Sequence, residues 1–452
     1  MVEPVWTPPA AERELGLEFY RTRTPGVPGR IKARADDFHV QEISTYPRPD
    51  PSGAFVVLRV ASRDWEQHEL AAALARRLRL PPHSVKWSGT KDRRAVADRL
   101  FSYAGSLPPA DLGLPGVELR EAYRAREGLV LGHHYGNAFE IRVSELDRPA
   151  EAAVAAYRAT EAELRELGGF PNLFGPQRFG EVRPVTHEVG RALIRGDLAG
   201  AVDVYLTAVP AGASPGSGDA ARRAFAEHRD AARALREFPS EYRFERALLE
   251  HLARGHPPER AFRALSRDLR LLFVHAFQAL LFNRWVSRRE ALGLPLDRPM
   301  AGDRILRVGR DGTVRSQEPV PVDTDNAREC TDLVFRGGAL LAGPLVGFET
   351  GVAPGPVGEL LAAVLSEEGV DPAGFRLPAA PEVASRGAWR PVVLPVPPTA
   401  LRAEAAAVEF RFALPKGAYA TVYLREFLKN GATTGAGANE PTNTRSPAPR
   451  IA

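Results

Sequence analysis

The chain has 452 residues, 44% of them hydrophobic and 26% charged, with a formal net charge of +4. That length exceeds the ~250–300 residues one core usually fills, so more than one domain is expected. No apolar run approaches the ~20 residues of a membrane span, residues 1–20 lack the basic head and apolar body of a signal peptide, and the single cysteine, Cys330, excludes an internal disulfide and a cysteine zinc cluster; the chain reads as cytoplasmic.

Along the chain, Phe38 and Val40 alternate with polar residues and predict a strand, and residues 55–60 predict a second. Leu70, Leu74 and Leu78 fall at helical spacing within 66–80, a segment stopped by Pro81-Pro82. Residues 138–143 alternate as a strand, and 152–167 form an amphipathic helix closed by Gly168-Gly169. From 169 to 393 helical patterns dominate; the longest is 270–292, and Leu360, Leu361, Val364 and Leu365 mark another. The Gly/Ser-rich stretch 211–218 reads as a flexible insertion. Strand character returns at 407–413, a helix follows at 419–430, and 431–452 reads as a disordered tail. β-rich ends around a helix-rich centre describe an α+β domain interrupted by an insertion. The expected division is 1–168, 169–393 and 394–430, then the tail.

Five lysines stand against fifty-five arginines: Lys32, Lys86, Lys91, Lys416 and Lys429. An ammonium differs from a guanidinium in hydration, fork geometry and pKa range, so a surviving lysine marks a place where arginine is a poor substitute. Lys91 lies in Ser88-Gly89-Thr90-Lys91-Asp92-Arg93-Arg94-Ala95-Val96, where one carboxylate sits among three cations. Those cations favour an ionised Asp92, suited to act as a nucleophile. Asp92 equally suits the N-cap of a helix running from 93 to 100. The local excess of positive charge between Arg76 and Arg99 fits a polyanionic partner or a solvated helix face.

Pro171-Asn172-Leu173-Phe174-Gly175-Pro176-Gln177-Arg178-Phe179-Gly180 mixes aromatic, polar and basic groups. It suits base stacking and phosphate contact, or a buried loop between domains. In Gly136-Asn137-Ala138-Phe139 the amide can read a base edge and the ring can stack; a turn asparagine before a core phenylalanine is the alternative. His133-His134, read as part of a strand, point to opposite faces, and the histidines have no metal-ligand spacing, so no metal is expected. No phosphate-loop or dinucleotide fingerprint occurs. Gly212-Ala213-Ser214-Pro215-Gly216 matches a nucleophile elbow only by letter, without its strand and helix.

In order, these motifs resemble the TruD family of tRNA pseudouridine synthases. The resemblance rests on Ile31-Lys32, Asp37-Phe38, Val40 and Glu42; on Gly89 to Arg93; on Gly136 to Phe139; and on Asn172 to Gly180. It continues with His275-Ala276-Phe277-Gln278, Phe282-Asn283, and Leu414 to Thr421 followed by Leu424-Arg425-Glu426. It implies a pseudouridine synthase catalytic domain of α+β class with a central mixed, mainly antiparallel sheet, interrupted by a helix-rich inserted TRUD domain. It also implies isomerisation of uridine to pseudouridine in tRNA, typically at position 13, without a cofactor. Asp92 is then the essential aspartate, acting on the ribose, on the base or by assisting elimination, and Lys32 the active-site lysine. Phe38, Asn137 and Phe139 match residues that hold the uridine, and Arg178 is the expected RNA contact of its motif. Where other pseudouridine synthase families have a tyrosine, Phe139 can stack but cannot move a proton. Ala97 and Arg99 replace the threonine and glutamine frequent after the aspartate motif. A tRNA-binding or folding chaperone with secondary or lost catalysis is a second reading, and the same chemistry on rRNA or mRNA a third.

Overall fold

The computed structural model describes residues 6–89, 95–180, 182–209, 217–309, 312–314 and 318–429. Asp92, the Gly-x-Ser-x-Gly match and the expected tail lie outside the described residues, as does most of the 211–218 stretch.

Six strands form first: β1 (Phe38–Ile43), β2 (Phe55–Arg63), β3 (Lys86–Trp87), β4 (Val96–Ala104), β5 (Val117–Ala125) and β6 (Gly136–Ser144). After β7 (Phe170–Pro171) come β8 (Arg304–Arg307), β9 (Val320–Pro321), β10 (Ala339–Leu345) and β11 (Ala388–Pro391). Then follow β12 (Val393–Leu394), β13 (Ala400–Glu404) and β14 (Ala407–Pro415). The main sheet has the order β13-β14-β6-β1-β4-β2-β5, with β3 added on β4. Its β1–β4 pairing is parallel and its other pairings are antiparallel, as expected of a mixed, mainly antiparallel sheet.

The register puts Val40 opposite Phe139 and beside Ala97, and Phe139 opposite Phe412. Side chains two apart share a face, so one face carries Phe38, Val40 and Glu42 with Asn137, Phe139 and Ile141. Two helical covers pack on that face, one over each half of the sheet. Over the β14–β6–β1 half, α2 (Ala150–Glu166) and α6 (Ala420–Leu428) bring Tyr157, Leu164, Tyr423 and Phe427 onto Phe410, Phe412 and Ile141. Over the β4–β2 half, α1 (Gln67–Arg77) packs Leu70 and Leu74 onto Val56, Leu58 and Phe101. Each such side chain contributes about 1.5–3 kcal/mol when fully buried. The Glu66 carboxylate caps α1 by accepting from the His68 and Glu69 backbone N–H groups at 2.8 and 2.9 Å.

Between the two halves of the main sheet in sequence lies a largely helical region. Its axis is α3 (Arg267–Ala291), buried along most of its length. Such a helix is apolar on several faces because it is surrounded. A four-stranded sheet, β11-β10-β8-β9, packs beside it, with α4 (Ala327–Phe335) and α5 (Pro356–Glu367) nearby in sequence. Gly343 of β10 lies against α3: a Cβ there would come 2.9 Å from both the Phe282 and Trp285 rings.

Three expectations are corrected. Residues 96–100 belong to strand β4 and not to a helix starting at 93. The cause is tertiary: β4 is held between β1 and β2, and its buried Arg99 donates to Gln67 Oε1 (2.9 Å) and the Trp65 carbonyl (2.8 Å). The middle of the chain contains a sheet as well as helices; its strands are short and include Pro321, Gly343 and Pro344, which hide the strand pattern. His133 and His134 lie in a loop before β6, where His133 meets the Tyr46 ring and His134 the Ser88 carbonyl.

Candidate active site

The buried face of β1 and β6 brings four of the expected residues together. Phe38 and Phe139 meet edge to face with ring centroids 6.0 Å apart, and Phe139 stacks on Phe412 at 5.5 Å. Lys32 precedes β1, in a backbone conformation with φ of +56° that non-glycine residues rarely adopt. It is 1% exposed, and its ammonium lies 4.6 Å from the Phe38 ring centroid, within cation–π range. The Asp37 carboxylate, beside Phe38 in the motif, has a local role: it accepts the Arg34 backbone N–H at 2.7 Å and fixes the turn into β1.

Asn137 sits one strand position from Gly136, opposite Glu42 on one side and Leu414 on the other. A Cβ at Gly136 would lie 2.1 Å from the Leu414 carbonyl oxygen, so glycine lets β6 and β14 approach there. The Asn137 Oδ1 is buried and has no hydrogen-bond partner among the described residues. A buried orphan acceptor costs ~1–3 kcal/mol, which a ligand donor can offset.

Glu42 gives this face a carboxylate. It is 1% exposed and accepts the Ser88 hydroxyl in a short hydrogen bond. The Ser88 carbonyl accepts the Gly132 N–H at 2.7 Å and faces His134 Nδ1 at 3.0 Å. Ser88 and Ala95 are both fully buried. The chain therefore enters segment 90–94 beside Glu42. It leaves one residue before the Val96–His39 pairing, level with Phe38. The described residues on either side of 90–94, Ser88 and Val96, thus both meet β1.

Arg178 lies apart from this cluster. Its guanidinium carbon is 5.5 Å from the Phe174 ring centroid, and its buried Nε has no partner among the described residues. Next to it, Arg390 covers the same ring at 4.0 Å and donates to the Asn172 carbonyl, Asn172 Oδ1 and the Gly417 carbonyl at 2.7–2.9 Å. Burial pushes Arg390 down to about 10, and the Arg178 charge acts in the same direction. Burial and the Arg178 charge also lower His275. Gln177 Oε1 accepts from the Thr421 hydroxyl at 3.1 Å. The 172–180 loop is thus joined to the 415–421 turn, and that turn follows the β14 residues that flank Asn137.

Sequence reading gave no role to Glu42, although it belongs to the first motif, and none to Phe412 or Arg390. The other motif residues are explained by packing. Asn283 accepts the Phe174 N–H at 2.8 Å and donates to the Phe174 and Leu15 carbonyls at 3.0 and 2.9 Å. Gln278 donates to the Val346 carbonyl at 2.6 Å.

A family model described as tRNA pseudouridine synthase D (TruD) matches residues 14–427. A relative from Halobacterium salinarum, named "Probable tRNA pseudouridine synthase D", is 38% identical over 440 residues, covering 92% of this chain and 97% of its own. One of the same name from Methanococcoides burtonii is 34% identical over 431 residues, covering 93% and 98%. A crystal structure from Methanosarcina mazei, named "Putative tRNA pseudouridine synthase D (TruD)", superposes with a TM-score of 0.78 at 32% identity, covering 94% of this chain and 99% of that one. Matched in sequence and in fold over nearly its whole length, the chain belongs to the TruD family of tRNA pseudouridine synthases.

Proposed function

We propose that this enzyme isomerises uridine to pseudouridine at position 13 of tRNA, with Asp92 as the reacting carboxylate and without a cofactor. The observation that carries the proposal is the gathering of Lys32, Phe38, Asn137 and Phe139 at one buried face, where Ser88 and Val96, on either side of 90–94, meet β1. The reaction breaks the bond from ribose C1′ to N1 and forms one from C1′ to C5. C5 loses a proton and N1 gains one. Product and substrate have the same atoms and electrons, so no external reactant is required.

The base must leave the RNA stack to reach a buried face, at a cost of a few kcal/mol. Phe38 and Phe139 offer aromatic surface to the extruded ring, and Asn137 Oδ1 accepts from the uracil N3–H. Lys32 supplies a compact positive charge to an anionic group at the site, and Arg178 holds RNA at the adjoining turn. We also assign residues 169–393 to an inserted domain and 1–168 with 394–430 to the catalytic domain. The antiparallel pairing of β7 with β12 supports this, because the chain leaves and returns at adjacent positions.

The test is to incubate the protein with tRNA transcripts and map pseudouridine by carbodiimide labelling and primer extension. A single modified site at position 13, absent from a transcript with cytidine there, is expected. Modification only at other tRNA positions, or only of rRNA or mRNA, refutes the substrate assignment. Tight tRNA binding without any pseudouridine favours the chaperone reading.

Two substitutions probe the site. Asn137→Ala should lower kcat/KM by roughly ten- to hundredfold, the value of one edge contact. It should leave the melting temperature unchanged or slightly higher, since it removes an orphan acceptor. Lys32→Arg keeps the charge but replaces a point cation with a wide fork in a 1%-exposed position. Turnover should fall at least tenfold while tRNA affinity holds; wild-type turnover would show that any cation suffices there.

A further inference from the structure

A cavity of about 470 Å³ lies among the second sheet, α3 and the start of α5, and has no part in the site described above. Its size falls within the ~300–1,000 Å³ of small-molecule sites. Two of the chain's five tryptophans, Trp285 and Trp389, line it. Arg304 lies over the Trp389 ring, its guanidinium carbon 5.0 Å from the centroid, and its side chain makes no hydrogen bond or ion pair among the described residues. The Trp285 side chain is 2% exposed, yet its Nε1 donor has no acceptor among the described residues. The first turn of α5 contributes Val357 and Gly358 to the wall, and its N-cap, Gly355, offers no side-chain acceptor.

The cavity wall carries the Arg304 guanidinium together with the carboxylates of Asp303 and Asp323. Asp303 is neutralised by Arg289 through two hydrogen bonds of 2.6 and 2.8 Å. Asp323, at the rim, already accepts the Asp325 and Asn326 backbone N–H groups at 3.0 and 2.9 Å. Beside them stand the Arg304 guanidinium on its indole ring and the positive end of a twelve-residue helix. An aromatic wall with a stacked guanidinium suits a planar heterocycle, because every base has a π face.

We infer that this cavity binds one unstacked nucleotide of the RNA substrate other than the target uridine. Its base stacks on the Arg304–Trp389 pair and its phosphate lies at the start of α5. This rests on the reading of the protein as an RNA-modifying enzyme. The pocket would hold a second point of the RNA at a distance from the chemistry, and so govern affinity and not turnover.

The experiment titrates the full chain with adenosine 5′-monophosphate, followed by tryptophan fluorescence, and measures tRNA affinity and kinetics in parallel. Wild type and Asn137→Ala should both be quenched. Arg304→Ala should weaken that quenching tenfold or more and raise the tRNA Kd and KM about tenfold, with kcat at saturating tRNA unchanged. Trp389→Phe should restore most of the affinity lost in Trp389→Ala. Arg304 is only half-buried, so its variant reports even if Trp389→Ala fails to fold. Quenching equal to wild type in Arg304→Ala, or unaltered tRNA Kd and KM, overturns the inference. Normal pseudouridine formation with an unaltered KM in Arg304→Ala removes the pocket and leaves the proposed reaction standing. Absent pseudouridine formation with intact, Arg304-dependent nucleotide binding does the reverse.

Discussion

Asp92→Asn should reduce pseudouridine formation by at least 10²–10⁴-fold, the range over which one positioned acid–base or nucleophilic group commonly acts, while tRNA binding and folding persist. Asparagine keeps the volume of aspartate but removes its charge and its basic oxygen. The contacts on either side of 90–94 do not depend on that charge: on one side Ser88 is held by Glu42 and Gly132, and on the other Ala95 accepts the Asp64 N–H at 3.2 Å. Single-turnover assays at saturating tRNA isolate the chemical step, and filter binding reads affinity. A wild-type rate would refute the proposed mechanism. Full biological complementation by the inactive variant would show that binding is the function that matters.

Arg425→Ala should destabilise the chain by about 3–5 kcal/mol, the usual cost of removing one member of a buried ion pair. Arg425 and Glu12 are 3% and 5% exposed and meet at 2.6 Å. The same guanidinium donates to the Phe19 and Leu17 carbonyls at 2.7 and 3.2 Å and lies 4.1 Å from the Tyr20 ring centroid. Around it, Glu426 accepts the Arg21 and Thr22 backbone N–H groups, and the Lys429 ammonium donates to the Thr22 and Thr24 carbonyls. The segment before β1 is therefore bound along the last helix. Urea unfolding should show a lower midpoint for Arg425→Ala. Adding Glu12→Gln should cost less than the sum of the two single changes, since they share the pair. A loss below 1 kcal/mol would mean that the carbonyl contacts are readily replaced by water.

How much of this was legible depends on where each signal lives. β1, β6 and β14 alternate because one face packs under helices, and alternation survives in sequence. β4 does not read this way: Asp98 and Arg99 follow one another, and each finds its partner on another strand or helix, Asp98 with Arg59 at 3.1 Å and Arg99 with Gln67. Nothing within residues 93–100 announces those partners. At the site, the family resemblance singled out Lys32, Phe38, Asn137 and Phe139; the strand register puts the last three on one face, and a cation–π contact sets Lys32 on Phe38. Arg178 was singled out with them, yet its guanidinium lies over Phe174, and its neighbour Gln177 makes the link to the 415–421 turn. Arg390 is more than two hundred residues from Asn172 in sequence but next to it in the fold, so no local pattern could reveal it.

The pairing of β6 with β14 has a consequence for biosynthesis. β6 is complete by residue 144, but its partner begins at residue 407. While the ribosome makes the intervening residues, β6 presents an unpaired edge, and the Phe139 ring lacks Phe412 behind it. The platform proposed for the target uridine is thus finished only as the final strand and helix emerge, so a chain released early has most of the enzyme's mass but lacks the ring that backs Phe139.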